Sequence, residues 1–169
     1  MTRNFYIFII CLLANIAYAD NNSGIDFYKV GEPDIAQKLF FEQLNSSPAE
    51  KAVALYYIGE IAFDTGRPAE ALDYYKQGWE TNPEYAFNKV GEGKILLKTD
   101  RPAAEKAFAA AVKVNKKNAE TYVAIASAYS TNGMEAEAAT SLENARKLNP
   151  NAPAIFLYEG DRLLAQNKP

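Results

Sequence analysis

The sequence contains no histidine and a single cysteine, Cys11, among its 169 residues. Without histidine, the chain lacks the side chain that most often serves as a general base near neutral pH. Thiolate nucleophiles and most zinc sites also need cysteine or histidine. Aspartates and glutamates remain, but their distribution does not differ from that of an ordinary solvated surface. We therefore expect no catalytic residue, no metal site and no cofactor, and predict that the protein is not an enzyme.

The chain also lacks a large excess of either charge, since 18 basic and 21 acidic residues leave a formal net charge of −3. The two signs are interspersed along the chain, which argues against a nucleic-acid-binding surface. Hydrophobic residues make up 49% of the chain, enough for a continuous core in a domain of this length. The composition therefore predicts a folded domain without a nucleic-acid partner.

An uncharged apolar run lies near the N-terminus, from Phe5 to Leu13. Ala17-Tyr18-Ala19 then places small residues where a signal peptidase cleaves. A membrane anchor is the alternative, but the apolar stretch that ends at Ala19 is shorter than the roughly 20 residues that span a bilayer, and Asn15 interrupts it. We predict a cleavable signal peptide at residues 1–19 and a single domain at residues 20–169. The domain would be periplasmic or otherwise exported across the inner membrane, with no stable membrane insertion.

Small residues recur with a period close to 34 residues, at Gly24, Gly59, Gly93, Ala126 and Gly160. A series of alanines keeps the same period, at Ala36, Ala71, Ala104 and Ala138. Each alanine is followed four residues later by a bulky residue, namely Phe40, Tyr75, Phe108 and Leu142. A small residue in one helix lets a second helix approach closely, and residues four apart share one face of that second helix. The period therefore predicts paired helices that repeat along the chain.

The most complete unit is Leu55-x-x-Ile58-Gly59 followed by Ala71, Tyr75 and Pro83. It resembles the tetratricopeptide repeat (TPR) family, whose 34-residue pattern runs from a bulky residue through Leu-Gly and Tyr to Ala, Phe and Pro. The resemblance covers nearly all of residues 20–169. It implies an all-α fold, a right-handed α-solenoid of antiparallel helix pairs (a TPR superhelix) with about four repeats plus a final helix.

Turn and cap residues within this pattern predict nine helices and no strand. The predicted spans are 20–30, 33–46, 50–64, 68–80, 84–98, 102–115, 119–131, 135–148 and 153–167. Two of these helices depart from the family pattern, because Glu92 and Glu159 stand where other units carry isoleucine. An unpaired buried carboxylate is costly, so either the local register or the burial of these two positions is in question.

The last unit has a first helix, which carries Leu163 and Leu164, and Pro169 aligns with the start of a second helix. Repeat arrays need a polar cap at each end. Two leucines do not provide one. We therefore expect the chain to be part of a longer repeat array, with an apolar surface at this end that favours self-association.

In the TPR family, one stripe of each first helix lines a concave groove that binds protein or peptide partners. The resemblance places the candidate binding site at Tyr28, Tyr56, Glu60, Phe63, Val90, Lys94 and Ser127. Tyr56 and Phe63 are aromatic anchors of the kind that dominate interface energies, although either ring could belong to the core instead. Lys94 is the only basic residue of the set, too little to clamp a terminal carboxylate. We therefore expect Lys94→Ala to change mainly the salt dependence of binding.

The resemblance implies a non-catalytic scaffold or adaptor that binds a protein or peptide partner through this groove, and the predicted signal peptide places it in the bacterial cell envelope. Two alternatives stay open at this point. The array could be the recognition arm of a larger exported enzyme or assembly machine. It could also be a structural repeat protein that associates with itself.

The signal-peptide prediction can be tested on the protein recovered from its own cells. Cleavage after Ala19 removes Cys11 and leaves Asp20 as the first residue. N-terminal sequencing and intact mass are expected to show this new terminus in the exported fraction. Retention of Met1 in the bulk of the protein would contradict the prediction.

Overall fold

Residues 21–166 are described by a computed structural model of the chain, and this part contains nine α-helices, one 3-10 turn and no strand. The helices are α1 (Asn21–Lys29), α2 (Pro33–Glu42), α3 (Pro48–Asp64), α4 (Pro68–Thr81), α5 (Phe87–Leu96), α6 (Arg101–Val114), α7 (Ala119–Thr131), α8 (Glu135–Leu148) and α9 (Pro153–Gln166), and the 3-10 turn is Gln43–Asn45. The predicted helix count and the absence of strands are confirmed for these residues. The predicted signal peptide at 1–19 lies outside them.

Three of the four pairs turn at a glycine. Gly31, Gly66 and Gly133 have φ values of 82°, 77° and 72°, a conformation that residues with a Cβ rarely adopt. The third pair has Asp100 near this position, with a φ of −148°. Asp100 instead caps α6, because its Oδ1 accepts a hydrogen bond from the backbone N–H of Ala103 at 3.0 Å. In the third pair, a side-chain cap by Asp100 therefore stands where the other three pairs have a glycine with positive φ.

Helix starts follow from capping residues in the sequence. Ser47 and Glu50 form a capping box at the start of α3, in which each side chain accepts a hydrogen bond from the other's backbone N–H. Helix α5 begins three residues later than the predicted start at residue 84. The reason is a turn before it, in which Asn82 Oδ1 accepts from the N–H of Glu84 at 3.1 Å.

The small residues of the first helices lie where a second helix comes closest. A Cβ atom added to Gly59 would lie 2.5 Å from the ring of Tyr75, too close without a shift of one of them. The same relation holds between Gly24 and Phe40, at 2.7 Å, and between Gly93 and Phe108, at 2.3 Å. The predicted close approach of paired helices at the periodic glycines is thus confirmed for three pairs.

First helices also contact one another along the array. Helix α3 contacts α5, α5 contacts α7, and α7 contacts α9. In the four complete pairs, the first helix packs most extensively against the second helix of its own pair. A buried amide links two of these first helices, since Asn88 Nδ2 in α5 donates a hydrogen bond to the carbonyl oxygen of Ala52 in α3 at 3.0 Å. These contacts make the chain a solenoid of packed helix pairs, with one surface built from successive first helices.

Glu92 and Glu159, the two glutamates that depart from the family pattern, each have a cationic partner. Glu92 is partly buried and contacts Lys89 Nζ at 2.5 Å within α5. Glu159 pairs with Arg146, which lies on α8. The predicted register therefore stands, and no buried carboxylate is left unpaired at these two positions. No helix within residues 21–166 has the length and apolar character needed to cross a bilayer.

The two glycines Gly59 and Gly160 provide a matched test of this packing. Gly59→Leu is expected to destabilise the protein by about 1–3 kcal/mol because the added side chain meets Tyr75. Gly160→Ala is expected to stabilise it by about 0.5–1 kcal/mol, since a Cβ at this position meets no atom within 4 Å and alanine favours the helix. Denaturant unfolding at high dilution measures both changes. A more stable Gly59→Leu variant would show that the close approach is wrong.

Candidate partner-binding groove

Five of the seven predicted site residues line one recess. Its volume is about 100 Å³, and its walls come from the first helices α3, α5 and α7. The predicted residues in it are Tyr56, Glu60, Val90, Lys94 and Ser127, and the small residues Gly91, Ala124 and Ala128 complete the lining. Three successive repeats therefore contribute to a single concavity. Ser127 is exposed at its edge, whereas Val90 and Lys94 are buried beneath it.

The other two predicted residues lie outside this recess. The hydroxyl of Tyr28 donates a hydrogen bond to Asp64 Oδ2 at 2.7 Å, which joins α1 to α3. Phe63 lines a second recess of about 320 Å³, together with Gly66, Pro68, Ile95 and Lys98. The Phe63 ring still contacts a residue of the first recess, since Lys94 Nζ lies 4.1 Å from the ring centroid.

Lys94 and Glu60 form an ion pair in the recess. Lys94 Nζ donates to both carboxylate oxygens of Glu60, at 2.8 and 2.9 Å. The two side chains are only 11% and 15% exposed. Water screens such a pair weakly, so each charge depends on the other for its solvation. Lys94 is therefore neutralised within the chain. The expected effect of Lys94→Ala on the salt dependence of binding stays a prediction.

Two further side chains hold this pair in place. The hydroxyl of Tyr75, on α4, donates a hydrogen bond to Glu60. Asn132 ends α7 and donates through Nδ2 to the carbonyl oxygen of Lys94 at 3.1 Å. The network thus joins α3, α4, α5 and α7 across the boundaries of three repeats. Sequence reasoning missed both supporting residues and the ion pair itself. The signal for the pair was present, because Glu60 and Lys94 lie 34 residues apart at equivalent repeat positions.

Tyr56 belongs to an aromatic cluster that forms one wall of the recess. Its ring centroid lies 5.1 to 5.9 Å from four others, those of Tyr57, Tyr75, Tyr85 and Phe87. Such edge and tilted contacts stabilise the packing beyond simple burial. Tyr56 therefore packs against the core and also lines the recess, and its role in binding a partner stays a prediction.

Burial and nearby negative charge keep the tyrosines of this region protonated. Burial is the main cause that raises the pKa of Tyr28, Tyr56 and Tyr75 above its ordinary value, and the carboxylate of Glu60 is the next. Their hydroxyls therefore stay protonated, and able to donate hydrogen bonds, beyond the pH at which an ordinary tyrosine ionises. Among residues 21–166, no group of three or more histidine, cysteine, aspartate or glutamate side chains is placed to hold a metal ion.

Family comparison agrees with the helix pairing. Models described as tetratricopeptide repeat match residues 21–84 and 119–152, which together make up more than half of the chain. The chain is a tetratricopeptide-repeat protein. The unmatched residues 85–118 contain α5 and α6, whose Gly93–Phe108 contact repeats that of the matched TPR pairs. The third repeat therefore keeps the TPR packing.

Solved TPR structures share this fold. The crystal structure of MamA aligns with a TM-score of 0.52 and 20% identity, over 75% of this chain and 74% of that chain. The crystal structure of YrrB, described as a TPR protein with an unusual peptide-binding site, aligns with a TM-score of 0.51 and 18% identity, over 81% of this chain and 71% of that one. At these identities the similarity shows the fold. No curated protein sequence is significantly similar to the chain.

The ion pair predicts an asymmetry between single and double variants. Lys94→Met is expected to destabilise the protein by about 3 kcal/mol, because it leaves the carboxylate of Glu60 partly buried without its cation. Glu60→Gln combined with Lys94→Met is expected to cost less than half as much, since no uncompensated charge remains. Chemical denaturation of the two variants measures the difference.

Arg101→Met is the matched control, since it removes an exposed cation that pairs with Glu137. It is expected to leave the melting temperature nearly unchanged. Equal losses from the single and double variants at Lys94 would show that the pair does not carry the site.

Proposed function

We propose that this TPR protein is a non-catalytic scaffold of the bacterial cell envelope that holds a peptide or protein segment in its groove. The observation that carries the proposal is the recess between α3, α5 and α7, to which three successive repeats contribute Tyr56, Glu60, Val90, Lys94 and Ser127. A surface assembled from equivalent positions of successive repeats suits an extended ligand that runs along the array.

The chemistry of the recess favours a partly apolar segment. Its one cation and one anion satisfy each other, so neither is available to fix a free carboxylate on a ligand. The half-buried Tyr56 ring offers apolar surface, and the exposed Ser127 hydroxyl offers a hydrogen bond at the edge. An internal segment with one apolar side chain of moderate size fits these properties better than an acidic C-terminus.

Two further observations support the proposal. A solved TPR neighbour, YrrB, is described as having a peptide-binding site, and its fold is shared over most of this chain. The apolar run at residues 5–13 and the Ala17-Tyr18-Ala19 motif support export to the envelope. The absence of histidine from the whole sequence supports a role without acid–base catalysis.

Ser127 allows the groove to be blocked without loss of the fold, because its side chain is exposed at the edge of the recess. Ser127→Tyr is expected to fill the recess and weaken ligand binding about tenfold or more. The matched control is Gln77→Tyr, at an exposed position of the second helix α4. The probe is a random peptide library, tested with free and with amidated C-termini.

Peptides selected by the wild-type protein are expected to be partly apolar and to bind equally well when amidated. They are expected to lose binding to Ser127→Tyr and to keep it with Gln77→Tyr. Strict dependence on a free carboxylate, or equal binding by both variants, would contradict a groove of this kind.

A further inference from the structure

Four aromatic rings lie together beside the recess, and Tyr56 belongs both to them and to the recess wall. The other three are Tyr57 on α3, Tyr85 in the connection before α5, and Phe87, the first residue of α5. The ring centroid of Tyr56 lies 5.1 Å from that of Tyr57, 5.8 Å from that of Tyr85 and 5.9 Å from that of Phe87. All four residues are partly exposed. We call them the aromatic shelf.

Buried rings hold the aromatic shelf in place. The fully buried Phe40 stacks on Tyr57, with the centroids 5.1 Å and the ring planes 5° apart. The fully buried Tyr75 lies 5.9 Å from Tyr56. Such contacts restrict the shelf side chains before a ligand binds, so little side-chain entropy is lost on binding. The shelf is therefore a preformed surface.

Three hydroxyls of the shelf are free to bind a ligand. Those of Tyr56, Tyr57 and Tyr85 make no hydrogen bond with the described residues, and their oxygen atoms reach solvent. Other tyrosines differ, since the hydroxyl of Tyr28 donates to Asp64. The shelf thus combines apolar ring surface with three available hydrogen-bond donors.

The free hydroxyls limit which peptide conformation fits. A helix satisfies its own carbonyls, so it would cover these hydroxyls without pairing them, which is unfavourable. A ligand strand needs a sheet edge, and residues 21–166 contain no strand. A polyproline II segment makes no internal hydrogen bonds, so its carbonyl oxygens remain able to accept from the hydroxyls. Two of its residues advance about 6 Å, close to the separation of neighbouring shelf rings.

Proline suits this surface in particular. Its ring packs on aromatic side chains, and it has no N–H that would need an acceptor. The carboxylate of the adjoining recess offers few acceptor positions, because Glu60 already accepts hydrogen bonds from Tyr75 and Lys94. A segment rich in proline therefore leaves fewer of its polar groups unpaired than other extended segments do.

Glu120 adds a negative charge near the shelf. It is exposed in the first turn of α7, at the repeat position that Phe87 occupies in α5. Burial is the main cause that raises the pKa of Tyr85, and Glu120 is among the side chains that add to it, so the two lie near each other. No cation of the described residues pairs with Glu120. A basic residue on a ligand complements this charge.

Given the proposed peptide-binding function, on which this step rests, we propose that the groove takes a proline-rich segment in the polyproline II conformation, with a lysine or arginine beside the prolines. In this arrangement the prolines lie on the aromatic shelf and their carbonyls accept from its hydroxyls. One apolar side chain enters the recess beside Tyr56. The basic residue faces Glu120.

The first test removes the hydroxyls and keeps the rings. Tyr56→Phe, Tyr57→Phe and Tyr85→Phe in one chain are expected to weaken the binding of decaproline with blocked termini about tenfold or more, measured by calorimetry. Because these hydroxyls have no partner in the described residues, the triple variant is expected to keep the wild-type melting temperature. Tyr122→Phe is the matched control, since Tyr122 is partly exposed on α7 outside the shelf. A glycine–serine decapeptide, which forms a flexible coil, is expected to bind neither protein detectably.

The second test concerns the charge. Decaproline that carries one lysine at the end nearer Glu120 is expected to bind about two to five times more tightly than decaproline at low ionic strength, the gain typical of an exposed ion pair. Peptides with the lysine at either end find the orientation. Glu120→Gln is expected to abolish the gain, whereas Glu80→Gln, at an exposed position of α4, is expected to retain it. Equal binding of the lysine peptide by wild type and Glu120→Gln would contradict the assigned contact.

The outcomes distinguish this proposal from the function on which it rests. Library peptides that depend on the groove but lack proline, and that the triple variant binds as the wild type does, would overturn the proline-rich class and leave the scaffold function intact. Absence of binding by both the library and decaproline would overturn both. Equal binding of decaproline by wild type and the triple variant, or helical circular dichroism of the bound peptide, would also contradict the polyproline II assignment.

Discussion

The ring of Tyr75 fits between two glycines, and the central part of the array depends on this contact. An added Cβ would lie 2.5 Å from the ring at Gly59 and 2.6 Å from it at Gly91. Gly59 belongs to α3 and Gly91 to α5, so one fully buried side chain of α4 is enclosed by the first helices of two successive repeats. Protein interiors are packed densely enough that such a ring sets the distance between the helices around it.

The same ring also positions the chemistry of the groove. With its ring held between the glycines, the hydroxyl of Tyr75 reaches Glu60, which in turn receives both hydrogen bonds from Lys94. The recess between α3, α5 and α7 is therefore lined by charges that the chain itself has satisfied. Tyr75 therefore contributes both to the packing of the second repeat and to the position of the charges in the recess.

The sequence predicted the fold almost completely, because repeat periodicity reports directly on helix pairing. Gly59 and Tyr75, like Gly93 and Phe108, could be matched by their spacing alone, and their contacts follow from the register. The start of α5 was missed, because the turn at Asn82 depends on a local side-chain hydrogen bond and not on the repeat.

The groove was less predictable than the fold. The resemblance to the TPR family implied that Tyr56, Glu60, Val90, Lys94 and Ser127 share one surface, and these five do line one recess. It did not reveal that Lys94 is neutralised, because a long flexible side chain can point in several directions from one backbone position. The ion pair with Glu60 of the preceding repeat decides its orientation, and the hydroxyl of Tyr75 holds Glu60 in turn.

Two asparagine side chains bear on how the groove meets a partner. Asn88 joins α5 to the backbone of α3, and Asn132 joins the end of α7 to the backbone of α5. Both bonds end on main-chain carbonyls, so they resist sliding and rotation of one repeat against the next. The curvature of a solenoid is the sum of such small rotations. These two bonds brace the arc from α3 to α7 within the chain itself, and under the proposed function a ligand would have to match this arc.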